Sequence, residues 1–132
     1  MAAKVLDSYA LMAFYEDEPG ADVVRNLLLK AVDNEIKLFM SVVNVGEIWY
    51  AIARATSPEI ADRYVNELNG MGIDIVDVDW QLTRQAAAFK ARGNIAYGDC
   101  FAAALAKVNK AELVTGDKEC RAVEGEIKIS WL

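Results

Sequence analysis

The chain has 132 residues, of which 55% are hydrophobic, and this is the size of one domain with a buried core. It contains no histidine, which excludes histidine general bases, Ser/His/Asp triads and imidazole metal ligands. Its formal net charge of −6 argues against broad electrostatic attraction to nucleic acid.

We therefore predict a single domain over residues 1–132 whose chemistry depends on carboxylates, hydroxyls, amines or thiols. No run of about 18 apolar residues could span a membrane, and the N-terminus lacks the features of a signal peptide. This predicts a cytoplasmic protein. Cys100 and Cys120 are too few and too widely spaced for a zinc cluster, so we expect free thiols.

The first half of the chain alternates short apolar runs with helical patterns. The run from Ala2 to Leu6 predicts a strand, and the apolar spacing after it predicts a helix. Apolar residues on one stripe from Val24 to Val32 predict a second helix. Lys37 to Val43 predicts the second strand, and Asn44 to Thr56 predicts the helix that follows it.

The second half continues the alternation. Its predicted elements are a helix up to Leu68, a strand from Ile73 to Val78, a helix from Trp80 to Arg92, an alanine-rich helix opened by Asp99, a strand from Glu112 to Thr115, a short helix from Asp117 to Val123 and an edge strand over Ile127 to Trp131. Strands that alternate with helices predict βαβ units. The fold class is therefore α/β, with a mostly parallel sheet and helices on both faces.

Four acids fall where this fold would bring them to one edge of the sheet. Asp7 follows the first strand and Asp117 follows the strand that ends at Thr115, and these strands are neighbours at the switch point of a doubly wound sheet. Asp99 would reach the same edge from the start of its helix. Glu47 lies inside an otherwise apolar helix and shares a face with Asn44.

Each acid also has an ordinary structural explanation. Asp7 and Asp99 are good helix caps, a mid-helix Glu47 is usually solvated, and Asp117 suits a turn. Together, however, four carboxylates at one edge repel each other and must take up protons or bind cations. Mg²⁺ prefers carboxylates and water, and two such ions can hold a phosphodiester and activate a water for attack. The acids therefore predict metal-assisted phosphodiester hydrolysis.

At these residues the sequence resembles the PIN-domain ribonucleases, and most closely the VapC-type toxins of bacterial and archaeal toxin–antitoxin pairs. The matching pieces are VLDSYAL, NVGEIWYA, GDCFAAALA and LVTGD. The resemblance implies a three-layer α/β/α sandwich, dependence on Mg²⁺ or Mn²⁺, endonucleolytic cleavage of RNA, homodimerisation and a cognate antitoxin. It makes Asp7, Glu47, Asp99 and Asp117 the acidic metal-binding set, with Glu47 either a ligand or the group that orients the attacking water. It also implies that three polar residues support this acidic set: Ser8, Asn44 and Thr115.

Two features of the charge and the surface follow from this interpretation. Without the four site acids the chain would have 16 acidic and 14 basic residues, so its charge is a weaker objection to RNA binding. Candidate phosphate contacts are Arg92, Lys118 and Arg121, although a solvated surface charge is the commoner role. Four aromatic residues would suit a dimer or antitoxin groove: Trp49, Tyr50, Tyr64 and Trp80. Aromatic residues at helical spacing are, however, more common in the core.

Other functions remain open at this point. A receiver-like signalling domain is also doubly wound, but Asp7 has no acidic neighbour and no lysine follows the last strand. A phosphotransferase with a nucleophilic Asp7 would need a second Asp where Tyr9 stands. A non-catalytic α/β binding module is the third alternative, because fold does not establish activity.

Overall fold

The computed structural model describes residues 1–132 and has five strands and six α-helices, with two short 3₁₀ helices. In chain order the elements are β1 (Ala3–Leu6), α1 (Ser8–Tyr15), α2 (Ala21–Val32), β2 (Lys37–Ser41), α3 (Val42–Ala55), α4 (Pro58–Glu67), a 3₁₀ helix (Asn69–Met71), β3 (Ile73–Val76), α5 (Trp80–Ala91), α6 (Tyr97–Val108), β4 (Glu112–Thr115), a second 3₁₀ helix (Lys118–Val123) and β5 (Ile129–Trp131).

The five strands form one parallel sheet in the order β3-β2-β1-β4-β5. The chain winds outward in one direction from β1 and in the other from β4, so the switch point lies between these two strands. Leu6 pairs with Val114, so the residues that follow them, Asp7 and Thr115, lie side by side at the carboxyl ends of β1 and β4. The predicted neighbourhood of the first strand and the strand before Asp117 is confirmed.

Two apolar cores lie on opposite faces of the sheet. Val5 and Leu113 point into the core formed with α5, α6 and the second 3₁₀ helix. Leu6 and Val114, the next residue along each strand, point into the core formed with α1 to α4. Central strands covered on both faces need no polar alternation, which explains their continuous apolar runs. The predicted three-layer α/β/α sandwich is confirmed.

Two strands end earlier than the sequence predicts. The second strand stops at Ser41, whose hydroxyl accepts a hydrogen bond from Val43 N at 3.2 Å and so caps α3. The third strand stops at Val76, and Asp79 caps α5 by accepting a hydrogen bond from Leu82 N at 2.8 Å. In both places the apolar run continues past the end of the strand. At Ser41 the residue that ends the strand also caps the next helix, whereas Asp79 caps its helix three residues after β3 has ended.

The prediction that Asp99 opens the alanine-rich helix is wrong. The helix α6 begins at Tyr97 after Ala96, and Asp99 is its third residue. The carboxylate of Asp99 therefore does not cap its own helix. The side chains of Ala102, Ala103, Ala104 and Ala106 are fully buried. Small side chains let α6 lie close to the sheet, and this places its first turn at the switch point.

Both cysteines, Cys100 and Cys120, are buried free thiols, as predicted. None of the helices combines the length and the apolar character needed to cross a membrane.

Candidate metal centre

Asp7 lies fully buried at the carboxyl end of β1, where it also caps α1. Its Oδ1 accepts a hydrogen bond from Ala10 N at 2.8 Å, and its Oδ2 accepts one from the hydroxyl of Thr115. Burial raises the pKa of Asp7 to about 7, against the effect of these two hydrogen bonds. The charges of Asp117 and Glu47 raise it further.

Asp99 reaches the same place from the first turn of α6, and only 6% of it is exposed. Burial raises the pKa of Asp99 to about 8, and the neighbouring carboxylate of Asp117 contributes to the rise. The charges of Asp117, Asp7 and Glu119 act in the same direction. A carboxyl group with such a pKa is close to its titration point at neutral pH, so it needs a proton or a cation nearby.

Asp99 belongs to two groups of side chains whose possible ligand atoms all lie within 4.8 Å of one another. The first group is Asp7, Asp99 and Cys120, and the second is Asp99, Asp117 and Glu119. Burial raises the pKa of the Cys120 thiol well above its ordinary value, and the neighbouring acids add to this, so its sulfur is a neutral neighbour of the carboxylates. Asp99 is therefore the carboxylate that the two groups share.

The turn after β4 holds Asp117. Its N–H donates to the hydroxyl oxygen of Thr115 at 3.0 Å, and its Oδ1 accepts from Glu119 N at 3.0 Å. The Thr115 hydroxyl thus connects Asp7, which follows β1, with the backbone of Asp117, which follows β4. One short polar side chain sets the relative position of two acids.

Glu47 lies outside both groups and is held by a separate polar network. Its Oε1 accepts hydrogen bonds from Ser8 Oγ at 3.1 Å and from Asn44 Nδ2 at 2.7 Å. Asn44 Nδ2 also donates to the carbonyl of Gly98 at 3.1 Å, which ties α3 to the first turn of α6. Glu47 still influences the pKa of Asp7, so it faces the same space.

Two glycines of the site are required for space rather than for backbone conformation, because neither has the positive φ that favours glycine. A Cβ on Gly98 would lie 2.6 Å from Glu47 Cδ. A Cβ on Gly116 would lie 2.8 Å from Tyr9 Cζ. Both distances are shorter than any normal carbon–carbon contact, so the two positions leave room for Glu47 and Tyr9.

The structure places the predicted residues in two arrangements. Asp7, Asp99 and Asp117 are brought together, while Glu47 stands beside them on α3. Each predicted supporting residue bonds to part of this site: Ser8 and Asn44 to Glu47, and Thr115 to Asp7 and Asp117. The sequence prediction missed Glu119 and the sulfur of Cys120. The short helix predicted from Asp117 to Val123 is present as a 3₁₀ helix over Lys118–Val123, but the sequence did not indicate that it brings Glu119 and Cys120 back to Asp99.

Two buried side-chain polar atoms in the chain have no hydrogen-bond partner, and both belong to this site: Asn44 Oδ1 and Asp99 Oδ2. An unpartnered buried acceptor carries a desolvation cost that an ion or a water can remove. The possible metal-ligand atoms nearby are mostly carboxylate oxygens, which suit a hard divalent cation such as Mg²⁺ or Mn²⁺. The residues present therefore fit such an ion.

The candidate phosphate contacts divide into two kinds. Arg92 forms an ion pair with Glu126, so the positive charge of Arg92 is already compensated. Glu126 is also paired with Lys107 at 2.9 Å. Lys118 and Arg121 are exposed on the second 3₁₀ helix, directly after Asp117. The surface beside the acidic groups thus carries two exposed cations.

An apolar cavity of about 400 Å³ opens between α1, α3 and α4, and nine residues line it: Met12, Tyr15, Glu16, Ala51, Ile52, Ala55, Thr56, Ile60 and Tyr64. Tyr15 and Tyr64 meet edge to face there, with ring centroids 4.8 Å apart. Trp49 and Tyr50 do not line it, because Trp49 donates to Asp62 and Tyr50 packs beneath Arg54. Of the predicted aromatic anchors, Tyr64 alone lines this cavity.

Comparison with known proteins gives two findings. The family model described as PIN domain matches residues 4–126. No curated protein sequence matched the chain.

Several solved structures share the fold over almost their whole length. A chain of VapBC2 from Rickettsia felis, bound to a DNA fragment from its promoter, is 15% identical with a TM-score of 0.74, and 98% of each chain is covered. DNA-bound VapBC from Salmonella typhimurium gives 17% identity and a TM-score of 0.73, again with 98% of each chain covered. VapBC-5 of a toxin–antitoxin system from Mycobacterium tuberculosis gives 17% identity and a TM-score of 0.61, covering 100% of this chain and 98% of that one.

Proposed function

The chain belongs to the PIN-domain family, and on this basis we propose that it is a metal-dependent endoribonuclease that acts as the toxin of a toxin–antitoxin pair. The observation that carries the proposal is the buried, unpartnered Oδ2 of Asp99 among the carboxylates of Asp7, Asp117 and Glu119. Because the chain belongs to the PIN-domain family, a receiver-like signalling domain is no longer an alternative. A non-catalytic binding module is still an alternative, and a test of RNA cleavage by the purified protein distinguishes it from a nuclease.

We propose that Asp7, Asp99 and Asp117 hold Mg²⁺ or Mn²⁺ directly or through water, with Glu119 beside them. A bound divalent cation supplies a water of lowered pKa and neutralises charge on the phosphodiester. Thr115 keeps Asp7 and Asp117 in register, since its hydroxyl bonds to both. Glu47 is held by Ser8 and Asn44 outside the two groups, and this supports our proposal that it orients the attacking water and accepts its proton rather than binding the metal.

The first expected result is cleavage of unstructured RNA by the purified protein with Mg²⁺ or Mn²⁺, and loss of cleavage in excess EDTA. Carboxylates without histidine have little other means of activating water at neutral pH. Cleavage is followed with a short RNA carrying a fluorophore and a quencher. Restored cleavage after metal is added back separates chelation from denaturation. RNA binding without cleavage under any of these conditions would leave only the binding module.

A second expected result concerns Gly98→Ala. Its new Cβ would collide with Glu47 Cδ, and the flexible end of Glu47 is the part that can move. We expect a fall of about 10- to 100-fold in kcat, comparable to losing a positioned proton acceptor. The melting temperature should change little, because the colliding carboxylate is half-buried.

The control for Gly98→Ala is the double variant Gly98→Ala/Glu47→Asp. Asp is one methylene shorter and leaves room for the new Cβ, so part of the lost kcat should return relative to Gly98→Ala alone. If Gly98→Ala keeps the wild-type kcat, the position of Glu47 is not important for the reaction.

For the partner, we propose a cognate antitoxin protein that covers the apolar cavity between α1, α3 and α4. Its edge-to-face tyrosines and its aliphatic lining suit an apolar helix face. VapBC complexes with the same fold support a partner of this kind. We further propose that the protein forms a homodimer, as the family resemblance implies. We also propose that it acts in the cytoplasm, because a ribonuclease toxin must have access to cellular RNA.

Expression of the chain alone is therefore expected to slow growth, and co-expression with the small gene beside it should restore growth and yield a complex through size exclusion. Tyr64→Ala should weaken that complex, because Tyr64 lines the cavity, while leaving RNA cleavage unchanged. A harmless chain at high expression, with no small neighbour co-purifying, would leave the nuclease without the toxin role.

A further inference from the structure

One exposed aromatic ring lies at the acidic site and has no role in the chemistry proposed above. Tyr9 follows Asp7 by two residues on α1, and 43% of it is exposed. Its ring lies over Gly116, where an added Cβ would come 2.8 Å from Tyr9 Cζ and 3.0 Å from its hydroxyl oxygen. Gly116 separates Thr115, which bonds to Asp7, from Asp117.

The other exposed aromatic residues lack this position. Tyr97 packs against Phe101 of its own helix, with ring centroids 4.9 Å apart, and Trp80 begins α5 after the edge strand β3. Tyr64 lines the apolar cavity on the helical layer instead. The ring of Tyr50 packs beneath Arg54, and the indole N–H of Trp131 donates to Glu124. Tyr9 alone rests on the turn that joins two of the site's acidic anchors.

From this placement we propose that the ring of Tyr9 is a stacking platform for an unpaired nucleobase next to the scissile phosphodiester. The proposal rests on the nuclease function and deepens it by naming a residue of this chain that would bind the RNA beside the cleaved bond. In a duplex each base face is covered by its neighbours, so only an unpaired base can offer a face to a protein ring.

Charge gives a physical reason for such a contact. The chain has a formal net charge of −6, and the site itself is built from carboxylates, so phosphate attraction is confined to the bound cation and a few exposed side chains. Stacking of a neutral base on a neutral ring contributes affinity that does not depend on charge. The glycine at position 116 keeps the ring against the turn, which limits the conformations it must give up on binding.

The experiment measures steady-state kcat and KM with a short fluorescent single-stranded RNA in Mn²⁺. Tyr9→Ala is expected to lower kcat/KM by about 5- to 100-fold, mainly through KM, as for loss of one base–aromatic stack. Tyr9→Phe keeps the ring and should recover most of that loss. Tyr50→Ala removes another exposed tyrosine, whose ring packs beneath Arg54, and as the matched control it should leave kcat/KM unchanged.

A substrate change tests the same contact from the other side. RNAs with one abasic nucleotide on either side of the cleaved bond are compared, and at one of these positions the wild type should lose about the same factor as Tyr9→Ala does. At that position Tyr9→Ala should show little further loss, because the contact is already absent. The melting-temperature gain on adding Mn²⁺ should be equal in wild type and Tyr9→Ala, which shows that the metal-binding acids are intact.

The outcomes separate this proposal from the function on which it rests. If the wild type cleaves no RNA with any metal, the nuclease function fails. If the wild type cleaves RNA but Tyr9→Ala keeps kcat/KM within twofold, or responds to every abasic RNA as the wild type does, the stacking platform is overturned and the nuclease stands. Equal cleavage of a fully paired RNA duplex would also overturn it.

Discussion

Asp99→Asn is expected to lower RNA cleavage by at least about 100-fold while the protein stays folded. Asp99 is the one carboxylate that belongs to both groups of possible ligands, and its Oδ2 has no partner within the chain. Loss of a cation that supplies several kcal/mol of transition-state stabilisation corresponds to this factor. Asn has nearly the same shape and only removes a negative charge.

Folding should be maintained because the charge removed is one that its surroundings repel. Asp7, Asp117 and Glu119 all raise the pKa of Asp99, and so does its burial. The metal-free melting temperature of Asp99→Asn is therefore expected to equal or exceed that of the wild type near pH 8. It is read by circular dichroism, and cleavage is read with the fluorogenic RNA.

The matched control for this variant is Asp74→Asn, which makes the same chemical change at an exposed position on β3. It should keep wild-type cleavage. If Asp99→Asn cleaves RNA in Mn²⁺ as fast as Asp74→Asn does, Asp99 is not part of the metal centre.

The second large effect is a fall in the stability of the metal-free protein as the pH rises from about 5 to about 8. The pKa values of Asp7 and Asp99 are raised from 3.8 to about 7 and about 8, with burial the largest cause for each. Between pH 4 and 8 the folded protein thus holds protons that the unfolded chain has released. Stability must then decrease with increasing pH over this interval and level off above it.

A divalent cation should reverse this trend. Protons compete with the metal for the same oxygens, so Mg²⁺ or Mn²⁺ should raise the melting temperature little at pH 5 and most at pH 8. A hundredfold excess over Kd adds about 2.7 kcal/mol to the free energy of unfolding. Differential scanning fluorimetry across this pH range, with and without metal, measures both effects.

Asp117→Asn should reduce the gain from metal, whereas Asp74→Asn should not. A metal-free protein whose melting temperature is flat or rises between pH 5 and 8 would show that the pKa values of Asp7 and Asp99 are not raised by folding. No change with millimolar metal at pH 8 would argue for acids that are solvated independently.

The architecture is within reach of the sequence because the signals that predict it are local. Apolar runs that alternate with helical spacing predict βαβ units, and the carboxyl ends of parallel strands meet at one edge. These two rules are enough to put Asp7 beside the turn that holds Asp117. The same alternation predicts helices on both faces of the sheet, and the structure confirmed the three-layer sandwich.

The errors lie where two elements compete for the same residues. The runs through Val43 and Val78 are apolar enough for strands, yet Ser41 ends its strand by capping the next helix, and β3 stops at Val76 before the helix that Asp79 caps. Asp99 is predicted to open its helix, and a helix cap was the ordinary alternative to its role as a site acid. The structure instead uses Ala96 there and leaves the carboxylate of Asp99 for the site.

The fold class, the order of the elements and the residue types of the site follow from the sequence alone, because periodicity and strand ends are properties of neighbouring residues. Tertiary contacts were needed to establish that Glu119 approaches Asp99, that Glu47 stands apart with Ser8 and Asn44, and that Gly98 and Gly116 make room for other side chains. These contacts join distant parts of the chain, so no local pattern carries them. The raised pKa values of Asp7 and Asp99 depend on tertiary structure for the same reason, since their burial requires two helical layers to close around the switch point.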